Sequence, residues 1–488
     1  MRRGSKMWLA GVAALALSAA VPAAAAGQSD QPGQVSSRSP FAAGCNGAEQ
    51  SGTVFRNSEI EPYVSVNPKD PDNLIAVYMQ DRWSNGGANG LLTSVSRDGG
   101  ATWKQLPLSD QPAFSHCTLG NASSGGDFER AADPWISFGP DGKAYQAGIG
   151  FNRSNTDRGT MVSTSTNGGR TWAKPSMLKQ ESDPNVSNER AAITADPTTA
   201  GTAYVEWDRI VRSPRQEYGG PTVFTRTTDG GRTWEPVREI YPSRPGYQTS
   251  GNQITVMPNG DLVNVFDEFE VDTQNVWPRR DRVMVIRSED QGKTWSKPTP
   301  ITRTLTAGVT DPRDGARVRT GDIFTDICAD KRPGSNTLYA AWEDARFTSG
   351  PGRHNQIAFA RSTDGGRTWS DPERVSSDID TQAFVPSLDV AADGSLAVTY
   401  YDFSADSTDT QSLDTQMWST RSHDGGKTWE PRKQLTTQPF DMRLAPNAGG
   451  YFMGEYQGLE SAGNTFKVVA TRADTPDNPT DLFSRTVR

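Results

Sequence analysis

Charged side chains that could do chemistry stand beside many of the short apolar runs in this sequence. Carboxyl groups can act as acids and bases, and arginine binds a carboxylate through two parallel hydrogen bonds. These residue types therefore predict a polar pocket of acids, arginines and a tyrosine, provided that the fold brings them together. The candidates are Arg56, Glu61, Arg130, Asp133, Glu189, Arg190, Asp326, Arg346, Glu455 and Tyr456.

One short motif recurs six times, at intervals of roughly 60 to 74 residues, and a period of this kind indicates stacked supersecondary units. In each copy an Asp or Asn can accept hydrogen bonds from nearby backbone N–H groups, and the glycines supply positive φ, as a tight hairpin requires. The closing Trp can be buried between neighbouring sheets. The copies are Ser96–Trp103, Ser165–Trp172, Thr227–Trp234, Ser288–Trp295, Ser362–Trp369 and Ser422–Trp429.

Two strand-like runs precede each copy, such as Tyr63–Val66 and Leu74–Tyr78 in the first unit. Each unit therefore reads as four antiparallel strands, with the motif between the third and the fourth. A seventh unit without the motif follows, and we expect Thr53–Phe55 to provide its missing strand. The prediction is an all-β propeller of seven four-stranded blades, with six as the alternative, forming one domain over residues 51–488.

This strand order also predicts where chemistry lies. In a four-stranded blade, the first strand begins and the second strand ends on one face, whereas the motif turn lies on the other. The repeated aspartates therefore belong to the fold, and the candidate residues gather on the opposite face. The alternative is that these charges are ordinary surface ion pairs, which occur in any soluble protein.

The repeated motif, with its Asp-Gly-Gly turn and Thr-Trp ending, resembles the Asp box (BNR repeat) of sialidase- or neuraminidase-like propellers. The resemblance implies three arginines around the substrate carboxylate, an Asp as acid/base, and a Tyr with a Glu as nucleophile. For this chain it implies the following roles. The arginines are Arg56, Arg130 and Arg190 or Arg346, the acid/base is Asp133 or Asp326, and the nucleophile pair is Glu189 with Tyr456.

Three features set this chain apart from that family. Phe55-Arg56-Asn57-Ser58 lacks the Ile-Pro of the family's opening motif. Arg190 stands where the family's Asn-Glu-Pro element has its proline. Glu455 and Tyr456 are neighbours, and adjacent strand residues point to opposite sides. The seventh blade would be a further departure, since sialidase catalytic domains have six.

The interpretation is a glycoside hydrolase of exo-sialidase-like type that acts on terminal, including acidic, sugars of glycans. Two alternatives stay open: a non-catalytic propeller that binds a polysaccharide or a protein, and a polysaccharide lyase on the same scaffold. We expect no cofactor, since the three histidines are scattered and match no zinc motif. A structural calcium ion stays open among the loop carboxylates, although no run has EF-hand spacing.

The N-terminus predicts a secreted protein. Positive charges precede an apolar run and a small-residue site, as in a signal peptide, here residues 1–26, and a flexible segment follows at 27–50. No later run is long enough to span a membrane, and the net charge of −8 argues against nucleic-acid binding. We expect a monomer with one disulfide, Cys45–Cys117, and a free Cys328.

Overall fold

A computed structural model describes Met1 and residues 33–212, 219–271, 281–322, 324–407 and 411–488. Regular structure in these ranges is β-strand apart from three short 3-10 helices, at Leu108–Asp110, His116–Thr118 and Met442–Leu444. The all-β prediction is confirmed. Within the same ranges no helix is both long and apolar enough to cross a membrane. The predicted signal peptide, beyond Met1, and the start of the flexible segment lie outside the described residues.

The strands are short and mostly buried, and consecutive strands pair antiparallel. In chain order they are β1 (Gly33–Gln34), β2 (Val54–Val66), β3 (Leu74–Trp83), β4 (Ala88–Ser96), β5 (Lys104–Gln105), β6 (Arg130–Phe138), β7 (Ala144–Phe151), β8 (Arg158–Ser165), β9 (Ser176–Glu181), β10 (Val186–Ala195), β11 (Ala203–Val211), β12 (Thr222–Thr227), β13 (Arg238–Tyr241), β14 (Tyr247–Val256), β15 (Leu262–Glu270), β16 (Arg282–Ser288), β17 (Thr299–Arg303), β18 (Val309–Thr310), β19 (Arg317–Arg319), β20 (Asp326–Ala329), β21 (Leu338–Asp344), β22 (Gln356–Ser362), β23 (Glu373–Arg374), β24 (Ala383–Val390), β25 (Leu396–Asp402), β26 (Asp414–Ser422), β27 (Lys433–Gln434), β28 (Phe440–Asp441), β29 (Tyr451–Phe452), β30 (Gly458–Ala462), β31 (Thr465–Thr475) and β32 (Asn478–Val487).

Seven consecutive groups of these strands, here called sheets 1 to 7, follow the repeat. Every Asp box begins at the last residue of a third strand, as predicted. The first strands of all seven sheets line one central cavity of about 820 Å³. The seven groups are β2–β5, β6–β9, β10–β13, β14–β17, β20–β23, β24–β27, and β30–β32 with β1, and the single pairings of Ser58 with Thr480 and of Ala88 with Ala131 join the seventh, first and second groups edge to edge.

The N-terminal chain supplies the fourth strand of sheet 7, but from a different place than predicted. β1 pairs with β32, where Gly33 lies opposite Ser484. The prediction that Thr53–Phe55 would fill this role is wrong, because β2 is longer than its apolar run suggests. Val54 and Phe55 extend β2 and pair with Trp83 and Arg82 of their own sheet.

The Asp boxes have a structural role, and they also connect neighbouring sheets. In the first box, the Oδ1 atom of Asp98 accepts the backbone N–H of Thr102 at 2.8 Å. Side chains of one sheet then bond backbone carbonyls of the next box: Arg97 donates to the Gly168 oxygen at 2.8 Å. Lys467 of sheet 7 donates in the same way to the Gly99 oxygen of sheet 1 at 2.7 Å.

The cysteines pair as predicted. Cys45 and Cys117 form a disulfide with their Cα atoms 4.9 Å apart, and Cys328 is free and buried. The bridge joins the N-terminal segment to the loop between sheets 1 and 2. It closes a long stretch of chain, 72 residues in sequence separation, which restricts the unfolded state.

Candidate functional site

Three predicted residues occupy left-handed backbone positions inside the first strands β2, β6 and β10. The φ angles are 53° at Glu61, 57° at Asp133 and 54° at Arg190. At each of them the pairing with the second strand shifts register, as in a β-bulge. Sheet 4 has Gly251, with φ 69°, at the corresponding point. Such backbone costs a side-chain-bearing residue about 1–3 kcal/mol and clusters at functional sites, where a bulge redirects a side chain.

A cavity of about 340 Å³, here called the pocket, opens at these bulges. Its walls come from the starts of first strands and the ends of second strands, the face that the strand order predicts for chemistry. The charged lining residues are Glu61, Arg82, Asp133, Glu189, Arg190, Asp208, Arg319 and Glu455. Apolar side chains line the rest, chiefly Met79, Phe151, Ile210, Phe269 and Phe324.

Arg190 is held by aromatic rings. Its guanidinium carbon lies 3.5 Å from the ring centroid of Phe324, 4.8 Å from that of Tyr456 and 5.9 Å from that of Trp135. The residue is only 8% exposed, yet its Nε and Nη1 atoms have no hydrogen-bond partner among the described residues. Cation–π contacts fix the group without using its donors. The guanidinium therefore keeps its donors available for a ligand.

Arg319 and Glu455 form the closest ion pair of the pocket. Nε and Nη2 of Arg319 donate to Oε1 of Glu455 at 2.9 and 2.7 Å. The Phe452 ring lies between Arg319 and Arg82, whose guanidinium carbons are 4.3 and 5.2 Å from its centroid. Arg82 is 4% exposed, and its Nε has no partner within the described ranges. Glu455 is therefore a paired carboxylate, and Arg82 is a second arginine with a spare donor.

Burial dominates the electrostatics of the carboxyl groups. Burial, followed by the negative charges of Asp133 and Glu455, raises the pKa of Glu61 and that of Glu189 to about 8. Burial also raises the pKa of Asp208 to about 7 and raises that of Asp133. At neutral pH Glu61 and Glu189 therefore hold protons.

Three predicted arginines lie outside the pocket, each bonded to its own neighbours. Arg130 donates to the Gly86 oxygen at 2.7 Å and lies 4.1 Å from the Trp83 ring centroid. Arg56 is half exposed, 3.8 Å from a carboxylate oxygen of Asp81. Arg346 pairs with the carboxylate two residues before it, at 2.8 Å. The structure therefore does not bring Arg56, Arg130 and Arg346 to the pocket.

Asp326 and Tyr456 are also placed elsewhere. Asp326 lines the central cavity, where its Oδ2 accepts the Leu388 N–H at 2.7 Å, because Phe324, two residues earlier, takes the pocket position. The Tyr456 hydroxyl donates to the Pro134 oxygen at 3.2 Å, and its ring packs on Trp135 at 5.1 Å. Glu455 thus lines the pocket while Tyr456 does not, and both lie in the segment between β29 and β30, outside any strand.

Three charged residues of the pocket were given no role by the sequence reasoning. Arg82 and Asp208 lie near the ends of second strands, β3 and β11, where the repeat places charged residues on this face. Arg319 lies between sheets 4 and 5 and has no counterpart in the repeat. Across the described ranges, no group of three or more His, Cys, Asp or Glu side chains could hold a metal ion.

Comparison with known proteins confirms the repeat. The BNR/Asp-box repeat family matches residues 420–431, the sixth box. An exo-alpha-sialidase of Aspergillus fumigatus is 27% identical over 152 residues, a match that covers 25% of this chain and 36% of the relative. The match thus spans about a third of that relative's length. The chain carries Asp-box repeats, and its resemblance to sialidase-like proteins is established.

Three solved structures are similar to this chain, each at a TM-score below 0.5. A Hadza microbial sialidase matches with a TM-score of 0.46 and 16% identity, over 86% of this chain and 74% of the other. An alpha-L-arabinanase of Penicillium chrysogenum, complexed with arabinobiose, matches with a TM-score of 0.46 and 13% identity, over 88% and 93%. An ulvan lyase matches with a TM-score of 0.45 and 11% identity, over 76% and 80%.

Proposed function

We propose that this chain is a glycoside hydrolase that binds a terminal sugar of a glycan in the pocket. The observation that carries the proposal is the guanidinium of Arg190, buried at the pocket wall with two donor nitrogens that have no partner among the described residues. A buried donor without a partner is costly in a folded protein. A ligand that accepts hydrogen bonds from Arg190 would remove this cost.

The carboxyl groups supply the two states that glycoside hydrolysis needs, one protonated and one ionised. Glu61 and Glu189, with pKa values of about 8, donate a proton to the departing oxygen. Glu455, paired with Arg319, supplies the carboxylate that attacks the sugar or activates water. Groups whose environments separate their pKa values suit acid and base roles.

We assign the acidic group of a terminal sugar to Arg190 and Arg82. Both line the pocket and have a buried donor without a partner in the described residues. Guanidinium binds carboxylate through charge-assisted hydrogen bonds. The apolar side of the pocket, with Phe151 and Phe269, would pack against the carbon skeleton of the sugar. The similarity to an exo-alpha-sialidase over part of the chain supports an acidic sugar of the sialic acid type.

We further propose a closed propeller of seven blades, exported as a monomer. Contacts between the last and first sheets support closure: Lys467 bonds the Gly99 oxygen, and Trp103 Nε1 donates to the Ser484 hydroxyl at 3.0 Å. The central cavity lined by all seven first strands supports the ring. The N-terminal sequence pattern and the Cys45–Cys117 disulfide suit an oxidising, extracellular compartment.

A non-catalytic glycan-binding propeller is the second candidate. It is favoured by the placement of Tyr456, the predicted nucleophile, whose hydroxyl bonds the Pro134 oxygen instead of facing the pocket. A lyase remains the third, and it would leave an unsaturated product. All three readings use the same pocket, so that the product of the reaction decides between them.

The test is a panel of methylumbelliferyl glycosides carrying sialic acid, glucuronic acid, arabinofuranose and glucose. We expect release of fluorophore from an acidic glycoside, and a fall in kcat of about 10² to 10⁴-fold in Glu61→Gln or Glu189→Gln. Glu460→Gln is the matched control, since burial also raises the pKa of Glu460, which lines the central cavity instead of the pocket, to about 7. No release from any glycoside, with binding to a glycan array retained, would show a binding module.

A further inference from the structure

Two linkers outside the repeat build a small sheet of their own. Residues 304–325 connect sheets 4 and 5, and residues 435–457 connect sheets 6 and 7. β19 of the first linker pairs antiparallel with β18 and parallel with β29 of the second linker. We call β18, β19 and β29 the accessory sheet. The β19–β29 pairing is short, with Val318 opposite Tyr451 and Arg319 opposite Phe452.

The two linkers form one wall of the pocket. The first linker contributes Arg319 and Phe324, and the second contributes Glu455. The Arg319–Glu455 ion pair, at 2.7 Å, joins the two linkers at the pocket. The ring of Phe324 packs against the guanidinium of Arg190. The placement of these groups therefore depends on how the two linkers sit against each other.

A second ion pair joins the same two linkers away from the pocket. Asp311 of the first linker is fully buried, and its Oδ2 accepts Nε of Arg443, from the second linker, at 2.7 Å. Arg313 also faces Asp311, at 3.5 Å from Oδ1, and Asp314 lies 3.4 Å from Arg443. The backbone N–H of Arg443 is bonded to Asp441 at 3.0 Å. Arg443 is thus held in place and faces a carboxylate that is screened from water.

We propose that Asp311 and Arg443 are positioning residues, which fix the register of β19 against β29 and thereby hold Arg319 and Glu455 in the pocket. So short a pairing specifies register weakly by backbone bonds alone. An ion pair on either side of it fixes both linkers. The catalytic consequence rests on the proposed function, because a misplaced Glu455 slows a reaction only if the pocket performs one.

The test compares the same substitution at two arginines. Arg443→Gln removes the pair with Asp311, and Arg432→Gln removes the pair of Arg432 with Asp402, a carboxylate of sheet 6 that is also buried. We expect similar losses of Tm in both variants. Only Arg443→Gln should speed amide hydrogen exchange in β19 and β29, by about tenfold or more, and lower kcat/KM by about tenfold or more. Arg443→Lys, which keeps the charge, should recover part of both.

The exchange measurement separates this proposal from the proposed function. Unchanged exchange of β19 and β29 in Arg443→Gln would overturn the positioning role, whether or not the chain is an enzyme. Faster exchange with unchanged kcat/KM would overturn it too. Faster exchange together with a wild-type chain that cleaves no glycoside would support the fixed register and refute the hydrolase. Should Arg443→Gln not fold, Arg443→Lys and Arg432→Lys are compared by the same measurements.

Discussion

The guanidinium carbon of Arg190 lies 3.5 Å from the centroid of the Phe324 ring, and the two residues come from different parts of the architecture. Arg190 belongs to a bulge in the first strand of sheet 3, whereas Phe324 belongs to the linker before sheet 5. The ring packs against the flat face of the guanidinium. The N–H donors at the edge of the guanidinium stay unused. The pocket thus combines a repeated element with one that has no counterpart in the repeat.

Replacing Phe324 by Leu should weaken substrate binding more than it destabilises the fold. The change removes a cation–π contact of about 1 kcal/mol and lets the Arg190 guanidinium move. We expect KM to rise about fivefold with little change in kcat. Tyr247→Leu is the control. The guanidinium carbon of Arg244 lies 3.7 Å from the ring centroid of Tyr247, and Tyr247 does not line the pocket. Equal effects of both variants on KM would contradict a specific role for Phe324.

Replacing Arg190 by Lys should discriminate between acidic and neutral sugars. Lysine keeps the charge but loses the planar fork that binds a carboxylate with two bonds. We expect kcat/KM for an acidic glycoside to fall about tenfold or more, and that for a neutral one to fall less. Arg56→Lys, at a half-exposed arginine outside the pocket, should change neither. A uniform loss for both kinds of sugar would show that Arg190 bonds hydroxyl groups instead.

The raised pKa of Glu61 should make the fold less stable at higher pH. Its pKa rises from an ordinary 4.5 to about 8 on folding, through burial and then the charges of Asp133 and Glu455. The folded state therefore binds more protons than the unfolded state between these values, so the unfolding free energy falls as pH rises through this window. Thermal unfolding from pH 5 to 8 should show a smaller decline in Glu61→Gln than in the wild type. Parallel curves would contradict the assignment.

The activity should also fall as pH rises through the upper pKa. A donor with a pKa of about 8 loses its proton there, and the pH profile of kcat/KM reports that ionisation in the free enzyme. We expect a descending limb near pH 8, and its loss in whichever of Glu61→Gln and Glu189→Gln removes the donor. The slow residual activity of that variant should not change with pH across the same range. If the descending limb persists in both variants, a group other than Glu61 and Glu189 titrates there.

Breaking an Asp box should cost stability without affecting catalysis. Asp364 accepts the Thr368 N–H at 2.9 Å and the Thr368 hydroxyl at 2.6 Å. Asp364→Ala leaves these donors to water, and we expect a loss of about 1–3 kcal/mol in the free energy of unfolding. Asp371→Ala, at an exposed aspartate soon after the box, should cost less than about 0.5 kcal/mol. A change of kcat in Asp364→Ala would contradict a purely structural role.

The repeat predicted most of this fold, because each box encodes its own turn in a few residues. β1 was missed because a two-residue strand has no periodicity to detect. In the site, Glu61, Asp133, Glu189, Arg190 and Glu455 were predicted from their position before first strands. Arg130 and Asp326 were placed there by the same rule, yet a shift of one or two residues along a bulged strand moves a side chain to a different surface.

Arg319, which the first linker contributes to the pocket, could not be predicted by comparing repeats. It stands in a segment that occurs once in the chain, and its position depends on a pairing with β29, far away in sequence. A short parallel pairing of this kind leaves no pattern in either segment. Arg82 and Asp208, by contrast, lie near the ends of second strands, a position that the repeat places on this face.

The pocket is built partly by the repeated sheets and partly by the two linkers, and this division affects how its preference for a sugar can change. Substitutions, insertions or exchanges in residues 304–325 and 435–457 alter one wall while the proton-donating Glu61 and Glu189 stay on the repeated sheets. Val309, Val318, Phe440, Met442 and Met453 of these segments pack in one core cluster with residues of sheets 6 and 7, so an exchange has to keep these apolar side chains. Grafting both linkers together, as one cassette, is therefore the natural unit for redesigning which sugar this scaffold accepts.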